Sequence, residues 1–402
     1  MRKFVFILIS AMLLNACRQP EIERYVDFDA FRPASEFTKP VFTPDGSLNP
    51  EIPMPEDLGS VSSAKVYTSS ARDILGAASS NFLTHVSGTY TGHDIDGTPI
   101  TLSGKIIYPT RGPVKNIILI SHYAVCAGYE APSESFPAEG IFAAKGYALV
   151  IADYIGYGVT ANRVHPFMHI ESTARSVTDF ALAAIPYLEQ VGRKPESNEV
   201  ILLGYSQGAA ITMGVLDIIQ KEYPDIFPVK KVYVGGGPYN LAATCDIAIE
   251  KDITEIPCAI PMVIQGMVVG ERMGVDLKHF FKPLLLKNYD EWINSKKYAM
   301  DQIKEMMGPL PLHEFITEEC KDKSNPATKK LFEAFERNST LYVKPKAPML
   351  VYHSRNDDMI PFENALDAQR AYQSDNVEFC FGNYGSHTAA GINFLLMVYG
   401  KL

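Results

Sequence analysis

The chain has 402 residues, 47% of them hydrophobic, so it can bury a large core as one elaborated domain or as two. Its formal net charge of −9 argues against nucleic acid or an anionic membrane surface as an electrostatically attracted partner. The 27 prolines and 28 glycines are spread along the sequence, and no internal repeat is evident.

Residues 1–16 are predicted to be a signal peptide rather than part of the fold. Arg2 and Lys3 form a positive region. The apolar stretch that follows, from Phe4 to Leu14, is too short to span a bilayer comfortably. Leu14-Asn15-Ala16-Cys17 resembles the lipobox of bacterial lipoproteins, in which cleavage leaves an acylated cysteine. We therefore expect an extracytoplasmic protein, anchored by lipid at Cys17 to the periplasmic face or the cell surface of a bacterial membrane. An ordinary secretory signal with an incidental cysteine is the alternative.

Residues 17–60 carry seven prolines and little apolar periodicity, so we interpret them as a tether and wrapping segment. Beyond Cys17 the chain has five cysteines, which leaves at least one thiol unpaired. Cys245 and Cys258 are close in sequence and are candidates for a disulfide. No cysteine and histidine spacing typical of zinc occurs, so no metal is inferred.

From residue 61 the pattern predicts an α/β fold with a mostly parallel sheet and helices on both faces. Phe82 to Pro109 alternates around Asp96-Gly97, which indicates a β-hairpin. Short apolar runs then alternate with helical patterns, as expected for parallel strands covered by helices. The predicted strands are Asn116–Ser121, Tyr147–Asp153, Val200–Leu203, Lys231–Gly235, Met349–His353 and Val377–Gly382.

The alternation stops at residues 241–343, which we predict to be a helical cap inserted into a core of residues 61–240 and 344–402. This insert holds six of the fourteen methionines, and Asp276–Leu286 and Tyr298–Met307 are amphipathic. Such segments could cover the carboxyl edge of the sheet as a cap, and in sequence the inner face of a cap looks the same as a lipid- or acyl-binding wall. The alternative is that most of these methionines fill an ordinary core.

Gly204-Tyr205-Ser206-Gln207-Gly208 lies between a short apolar run and a helical pattern. A serine on such a strand-to-helix turn is held in a strained conformation that exposes its hydroxyl, and the flanking glycines allow close approach of the neighbouring backbone. Ser206 is therefore the candidate nucleophile. Its hydroxyl needs a neighbouring base, and that base needs an acid to fix its tautomer.

The order Ser, acid, His continues downstream. The loop that contains Asp357 and Asp358 follows the predicted strand Met349–His353, and ligands collect at such carboxyl strand ends. Of the nine histidines, only His387 comes after this loop, so His387 is the candidate base. His353 is expected to be buried at a strand end, and His165 and His169 to be structural or to line the substrate.

Several motifs together resemble the α/β-hydrolase superfamily, and more narrowly its secretory lipase and esterase group, over residues 80 to 400. The resemblance implies the α/β-hydrolase fold and hydrolysis of carboxylic esters, small or lipid, through a Ser-His-Asp triad and an acyl-enzyme, beneath a helical cap and without a cofactor. The motifs that carry it are Asp96-Gly97-Thr98-Pro99-Ile100, Asp153-Tyr154-Ile155-Gly156-Tyr157-Gly158, Gly204–Gly208 and Gly235-Gly236-Gly237-Pro238.

The same resemblance favours Asp357 over Asp358 as the triad acid, since the family's acid loop often reads His-Gly-x-x-Asp-x-x-Val-Pro. Asp358 would then be a solvated neighbour. The oxyanion hole is expected to use the backbone N–H of Gln207, directly after the nucleophile, and that of Tyr123 in the loop after Asn116–Ser121, with Ala124 as the next candidate. The chain has no glycine after His122, where the family has a His-Gly pair.

Two other functions fit the same sequence. A capped serine aminopeptidase would use the same triad, with Glu318 and Glu319 as candidates to hold the substrate's amine. A lipoprotein binding module that kept the fold and lost catalysis is the alternative from a different class.

Overall fold

The computed structural model describes residues 83–135, 137–252 and 255–402, together with two short strands, β1 (Val26–Asp27) and β2 (Phe37–Thr38). Cys17, the predicted signal peptide of residues 1–16 and nearly all of the predicted tether of residues 17–60 lie outside the described residues. The lipobox interpretation therefore stays a prediction.

The described strands form one sheet in the spatial order β1, β3, β4, β6, β5, β7, β8, β9, β10, with β2 paired to β3. The predicted hairpin is confirmed, because β3 and β4 pair antiparallel around the turn at Gly97, whose φ is 81°. From β6 to β10 every pairing is parallel. The remaining strands are β3 (Leu83–His93), β4 (Pro99–Pro109), β5 (Ile117–Ser121), β6 (Ala148–Ala152), β7 (Val200–Tyr205), β8 (Val229–Gly235), β9 (Met349–Ser354) and β10 (Val377–Gly382).

The central strands read as continuous apolar runs because both faces of the sheet are covered. In β5, Ile117 and Leu119 belong to one hydrophobic cluster, whereas Ile118 and Ile120 belong to the cluster on the opposite face. All four side chains are at most 4% exposed. A strand whose two faces are both buried has no polar alternation, which is the pattern of parallel sheets.

Nine α-helices are assigned within the described residues. Helix α1 carries Pro186 inside it, and α2 begins at the residue after Ser206. Helices α3 to α7 lie between β8 and β9 in the chain. The helices are α1 (Ile170–Gln190), α2 (Gln207–Glu222), α3 (Leu241–Lys251), α4 (Ala259–Gly270), α5 (Pro283–Tyr289), α6 (Met300–Met307), α7 (Pro326–Arg337), α8 (Glu363–Tyr372) and α9 (His387–Lys401).

The predicted amphipathic segment Asp276–Leu286 is not one helix. A single turn at Leu277–His279 ends before Phe281, which forms an isolated bridge with Ile316, and α5 starts only at Pro283. Proline is favoured in the first turn of a helix but blocks continuation from the preceding turn, which explains the break.

The segment between β8 and β9 packs on loops that follow β5 and β6. Lys296, in this segment, is hydrogen-bonded to both loops. Its Nζ donates to the carbonyls of Ala161 (2.8 Å) and Arg163 (2.5 Å) in the loop after β6, and its own carbonyl accepts the N–H of Gly128 (2.8 Å) in the loop after β5. Burial lowers the pKa of Lys296 to about 8. The segment is thus held against the carboxyl edge of the sheet by hydrogen bonds as well as apolar packing.

The proposed disulfide between Cys245 and Cys258 does not form, and the five cysteines among the described residues are all free thiols. Cys258 instead faces Cys126, and the hydrogen bond between these two side chains, together with burial, raises the pKa of the Cys126 thiol. Closeness in sequence was misleading because Cys245 lies within α3, whereas Cys258 immediately precedes α4 and is hydrogen-bonded to Cys126.

Within the described part of the chain, no helix has both the length and the apolar character needed to cross a bilayer.

Candidate active site

Ser206 lies on the sharp turn between β7 and α2. Its φ of 58° and ψ of −127° put a non-glycine residue in a region that L-amino acids rarely occupy. The Ser206 N–H donates to the Gly235 carbonyl at 2.9 Å, which holds this conformation in place. Strain of this kind persists only where the surroundings enforce it, and such residues cluster at functional sites.

The two glycines of the elbow are required by close packing. A Cβ on Gly204 would lie 2.1 Å from the Gly208 carbonyl oxygen, and a Cβ on Gly208 would lie 1.9 Å from the Ser121 carbonyl oxygen. Both separations are far below van der Waals contact. Glycine at these two positions therefore lets the start of α2 approach the end of β5, where the loop with Tyr123 begins.

Tyr205, between the first glycine and the serine, anchors the elbow to α9. Its Oη donates to the His387 carbonyl at 2.7 Å, and its ring lies 5.0 Å from the His387 imidazole. A Cβ on Gly236 would lie 2.7 Å from this ring. The Gly235-Gly236-Gly237-Pro238 motif therefore makes room for the residue that precedes the serine.

His387 connects the serine to an acid. Its Nε2 is 2.8 Å from Ser206 Oγ, and its Nδ1 is 2.7 Å from Asp357 Oδ2. The three residues follow β7, β9 and β10, whose ends align because Gly382 is in register with Ser354, and Tyr205 with Gly235. The structure thus brings together the serine, acid and histidine that the sequence suggested.

The acid is buried and held from both sides. Its side chain is fully buried, and its Oδ1 accepts the N–H groups of Met359 (3.0 Å) and Ile360 (2.8 Å). Burial alone would raise the pKa of Asp357, but the hydrogen bond and charge of His387 and the Ile360 N–H outweigh it and lower that pKa below its usual value. The carboxylate is consequently ionised at neutral pH and fixes Nδ1 of His387 as the protonated nitrogen.

Asp358 is exposed, but it is more than the solvated neighbour expected from the sequence. Its Oδ1 accepts the backbone N–H of His387 at 2.8 Å, at the start of α9. Asp357 therefore holds the imidazole and Asp358 holds the backbone of the same residue. A carboxylate at a helix N-terminus also interacts favourably with the helix dipole.

The two predicted oxyanion residues lie on adjoining segments. Gln207 is the first residue of α2, and the first N–H groups of a helix have no intrahelical partner. Tyr123 follows His122, whose carbonyl lies 2.8 Å from the position of a Cβ on Gly208. His122 itself is buried, and its ring stacks on Tyr154 with centroids 3.8 Å apart. Burial lowers the pKa of His122 to about 4, so the ring is neutral at pH 7.

Three further histidines have structural surroundings. His353 is fully buried, as expected; its Nε2 donates to the Ile360 carbonyl at 3.2 Å and lies 3.8 Å from Asp357 Oδ2. His169 precedes α1 and bonds Ser172. His165 contacts the side chain of Gln207, a link that the sequence did not reveal.

The residues suggested for an aminopeptidase do not form a buried acidic site. Glu318 and Glu319 are exposed on a short helical turn, Glu318–Lys321, and the Glu318 carboxylate lies 3.8 Å from Lys321 Nζ. No observation on these residues favours binding of a substrate amine.

The model of the secretory lipase family matches residues 141–392, which is more than half of the chain and includes Ser206, Asp357 and His387. The chain belongs to the secretory lipase family. This membership supports an ester hydrolase and suggests an extracytoplasmic protein.

Solved structures share the fold of this secretory lipase family member. The rice cell wall degrading esterase LipA of Xanthomonas oryzae is 21% identical over 82% of this chain and 94% of that one, with a TM-score of 0.73. A Legionella pneumophila protein assigned only provisionally as a hydrolase is 23% identical over 80% and 89% of the two chains (TM-score 0.71). Candida antarctica lipase A is 16% identical over 78% and 75% (TM-score 0.60). Similarity at this level establishes the α/β-hydrolase fold. No curated protein sequence matches the chain.

Proposed function

We propose that the protein is a serine hydrolase of carboxylic esters that works through Ser206, His387 and Asp357. The observation that supports this most directly is the pair of short contacts made by one imidazole, 2.8 Å to Ser206 Oγ and 2.7 Å to Asp357 Oδ2. With Nδ1 protonated toward the carboxylate, Nε2 carries the lone pair that accepts the serine proton.

In the proposed reaction, Ser206 Oγ attacks the ester carbonyl carbon while His387 Nε2 takes the hydroxyl proton. The oxyanion is stabilised by the N–H groups of Gln207 and Tyr123. The carbon–oxygen bond to the alcohol then breaks, and His387 returns the proton to the departing alkoxide. Water repeats the sequence on the acyl-enzyme and releases the carboxylic acid.

Residues 241–343 are proposed to act as a cap over this site. This segment packs on the loops that follow β5 and β6, through contacts such as those of Lys296 with Gly128 and Ala161. Apolar side chains of α4, among them Met262, whose Sδ is 3.8 Å from Cys126 Sγ, reach the loop that carries Tyr123. A cap of this character suits an ester with an apolar acyl group.

We also propose that the mature chain starts at Cys17 and is held at a bacterial membrane by lipid on that residue. The proposal rests on Leu14-Asn15-Ala16-Cys17 following a short apolar stretch. Replacing Cys17 by serine should release the protein from membrane fractions. Release without that substitution would point to an ordinary secretory signal.

The activity is tested with p-nitrophenyl esters of increasing acyl length, using Ser206→Ala. We expect kcat to fall by about 10⁴ to 10⁶ relative to the parent enzyme, because the nucleophile is lost while binding is kept. Ser197→Ala, which removes a hydroxyl from the loop before β7, is the control and should keep full activity. Equal turnover by Ser206→Ala would contradict the proposal, and turnover of aminoacyl anilides but not esters would indicate a peptidase.

A further inference from the structure

The loop after β6 has no role in the reaction described so far, although its sequence is one of the motifs that carry the family resemblance. It reads Asp153-Tyr154-Ile155-Gly156-Tyr157-Gly158. Two of its side chains donate to carbonyls that flank the Tyr123 segment. Tyr154 Oη lies 3.1 Å from the His122 carbonyl oxygen, and Tyr157 Oη lies 2.5 Å from that of Val125. Both tyrosines are at most 3% exposed. Tyr123 and Ala124 are thus bracketed by two buried hydrogen bonds.

The same loop reaches Gln207 through His165. The Ile155 carbonyl lies 2.7 Å from His165 Nδ1, which must therefore donate a proton to it. Nε2 of His165 is then an acceptor, and it lies 3.3 Å from Nε2 of Gln207. Gln207 is 2% exposed, so this contact is shielded from bulk solvent.

Glycine and burial hold this arrangement in place. Gly156 has a φ of +99°, and a Cβ on it would lie 2.7 Å from His165 Cα. Burial lowers the pKa of His165 to about 3, so the ring remains neutral and keeps its acceptor nitrogen at neutral pH. The present contact requires this neutral ring, because a protonated His165 would set a second donor against the NH2 group of Gln207.

We propose that the loop of residues 153–158 positions both N–H donors of the oxyanion hole, with Tyr154, Tyr157 and His165 as positioning residues. The inference rests on the proposed function, in which the N–H groups of Tyr123 and Gln207 are the oxyanion donors. An oxyanion donor works only at about 2.7–3.1 Å from the oxyanion, and a misplacement of about 1 Å can cost about 100-fold in rate. One loop therefore sets the separation of two donors that follow different strands, β5 and β7.

A purely structural role makes a different prediction, and the chain offers a matched control. Tyr90 lies on β3, away from the elbow, and like Tyr154 it is 1% exposed. Its Oη donates to the Ser176 carbonyl at 2.8 Å. Tyr90→Phe and Tyr154→Phe each remove one buried hydroxyl from a carbonyl. If the bonds only stabilise the fold, the two variants should affect catalysis equally.

The experiment compares Tyr154→Phe, His165→Phe and Tyr90→Phe with the parent in the full chain. For p-nitrophenyl butyrate we expect kcat to fall about tenfold for the first two variants with KM within about twofold, since a donor shifted in the transition state affects kcat. Inhibition by a trifluoromethyl ketone, which forms an oxyanion on the serine, should weaken by the same factor. Tyr90→Phe should lower the melting temperature similarly but keep kcat within about twofold.

His165→Gln serves as the rescue variant, since its amide can both donate to Ile155 and accept from Gln207, and it should recover most of the lost kcat. The proposal is overturned if folded Tyr154→Phe and His165→Phe keep the parent kcat, or if Tyr90→Phe loses as much. If His165→Phe does not fold, Tyr157→Phe takes its place under the same criteria. A parent enzyme whose turnover does not depend on Ser206 would refute the proposed function itself, whereas unaffected variants of an active, Ser206-dependent parent refute only this inference.

Discussion

Asp357→Asn replaces one oxygen atom of the candidate triad, and the structure dictates how the new amide must orient. Oδ1 of Asp357 accepts the N–H groups of Met359 and Ile360, at 3.0 and 2.8 Å. The amide oxygen of the asparagine has to remain there, because an amide NH2 cannot accept from two N–H donors. The NH2 group is then directed at Nδ1 of His387, 2.7 Å from the present Oδ2.

Two donors cannot pair, so the imidazole must move its proton from Nδ1 to Nε2. In that tautomer Nε2 has no lone pair for the proton of Ser206, although the distance of 2.8 Å is unchanged. We expect kcat to fall by about 10⁴, the size known for the equivalent change in a serine protease triad. At about 1.36 kcal/mol for each tenfold change, this is about 5 kcal/mol of transition-state stabilisation.

The assay is hydrolysis of p-nitrophenyl butyrate at pH 8, with circular dichroism to verify folding. Asp358→Asn is the matched control, because its amide oxygen can still accept the His387 N–H that Asp358 now accepts at 2.8 Å. We expect only a few-fold loss for this exposed residue. The reasoning is refuted if folded Asp357→Asn keeps kcat within tenfold of the parent, or if Asp358→Asn is the more damaging change.

Two further predictions concern stability. The folded-state pKa values of His122 and His165 are lowered to about 4 and about 3, so between pH 7 and pH 5 only the unfolded chain takes up protons at these residues. The free energy of unfolding should therefore fall between pH 7 and pH 5, by about 2 kcal/mol for each histidine. Urea unfolding at the two pH values should show a smaller fall for His165→Phe than for the parent. An equal fall in the free energy of unfolding for parent and variant would contradict the conclusion that the His165 ring is buried and neutral. Gly208→Ala should destabilise by about 3 kcal/mol in the same measurement, because its Cβ would lie 1.9 Å from the Ser121 carbonyl oxygen. Gly400→Ala, at an exposed helical position with open space, should instead be neutral or stabilise by up to about 1 kcal/mol, and similar effects of the two substitutions would contradict the close-packing argument.

The fold, and the placing of the candidate triad at one edge of the sheet, could be predicted from the sequence because both depend on local sequence patterns. Apolar runs alternating with helices specify a parallel sheet, and such a sheet aligns the ends of its strands. Ser206, Asp357 and His387 each follow such an end, so their meeting requires only that the strands pair in the usual way. The position of His387 after the acidic loop completed the order.

Contacts that depend on how distant loops pack could not be predicted in this way. The link between His165 and Gln207 joins residues 42 positions apart, and neither residue type signals it. The exposed Asp358 looked like a solvated charge because its role depends on where α9 begins. The break in the helical segment had a local signal in Pro283, whereas the contact of Cys258 with Cys126 arises only from the packing of α4 on the loop after β5.

The central claim is that Ser206 is an activated nucleophile, and labelling with a fluorophosphonate tests it most directly. Labelled protein is digested, and the modified peptide is located by mass spectrometry. The account predicts one adduct, on Ser206, that is absent in Ser206→Ala, formed much more slowly in His387→Ala and unchanged in Ser197→Ala. An adduct on another serine, or labelling of the parent no faster than of His387→Ala, would contradict it.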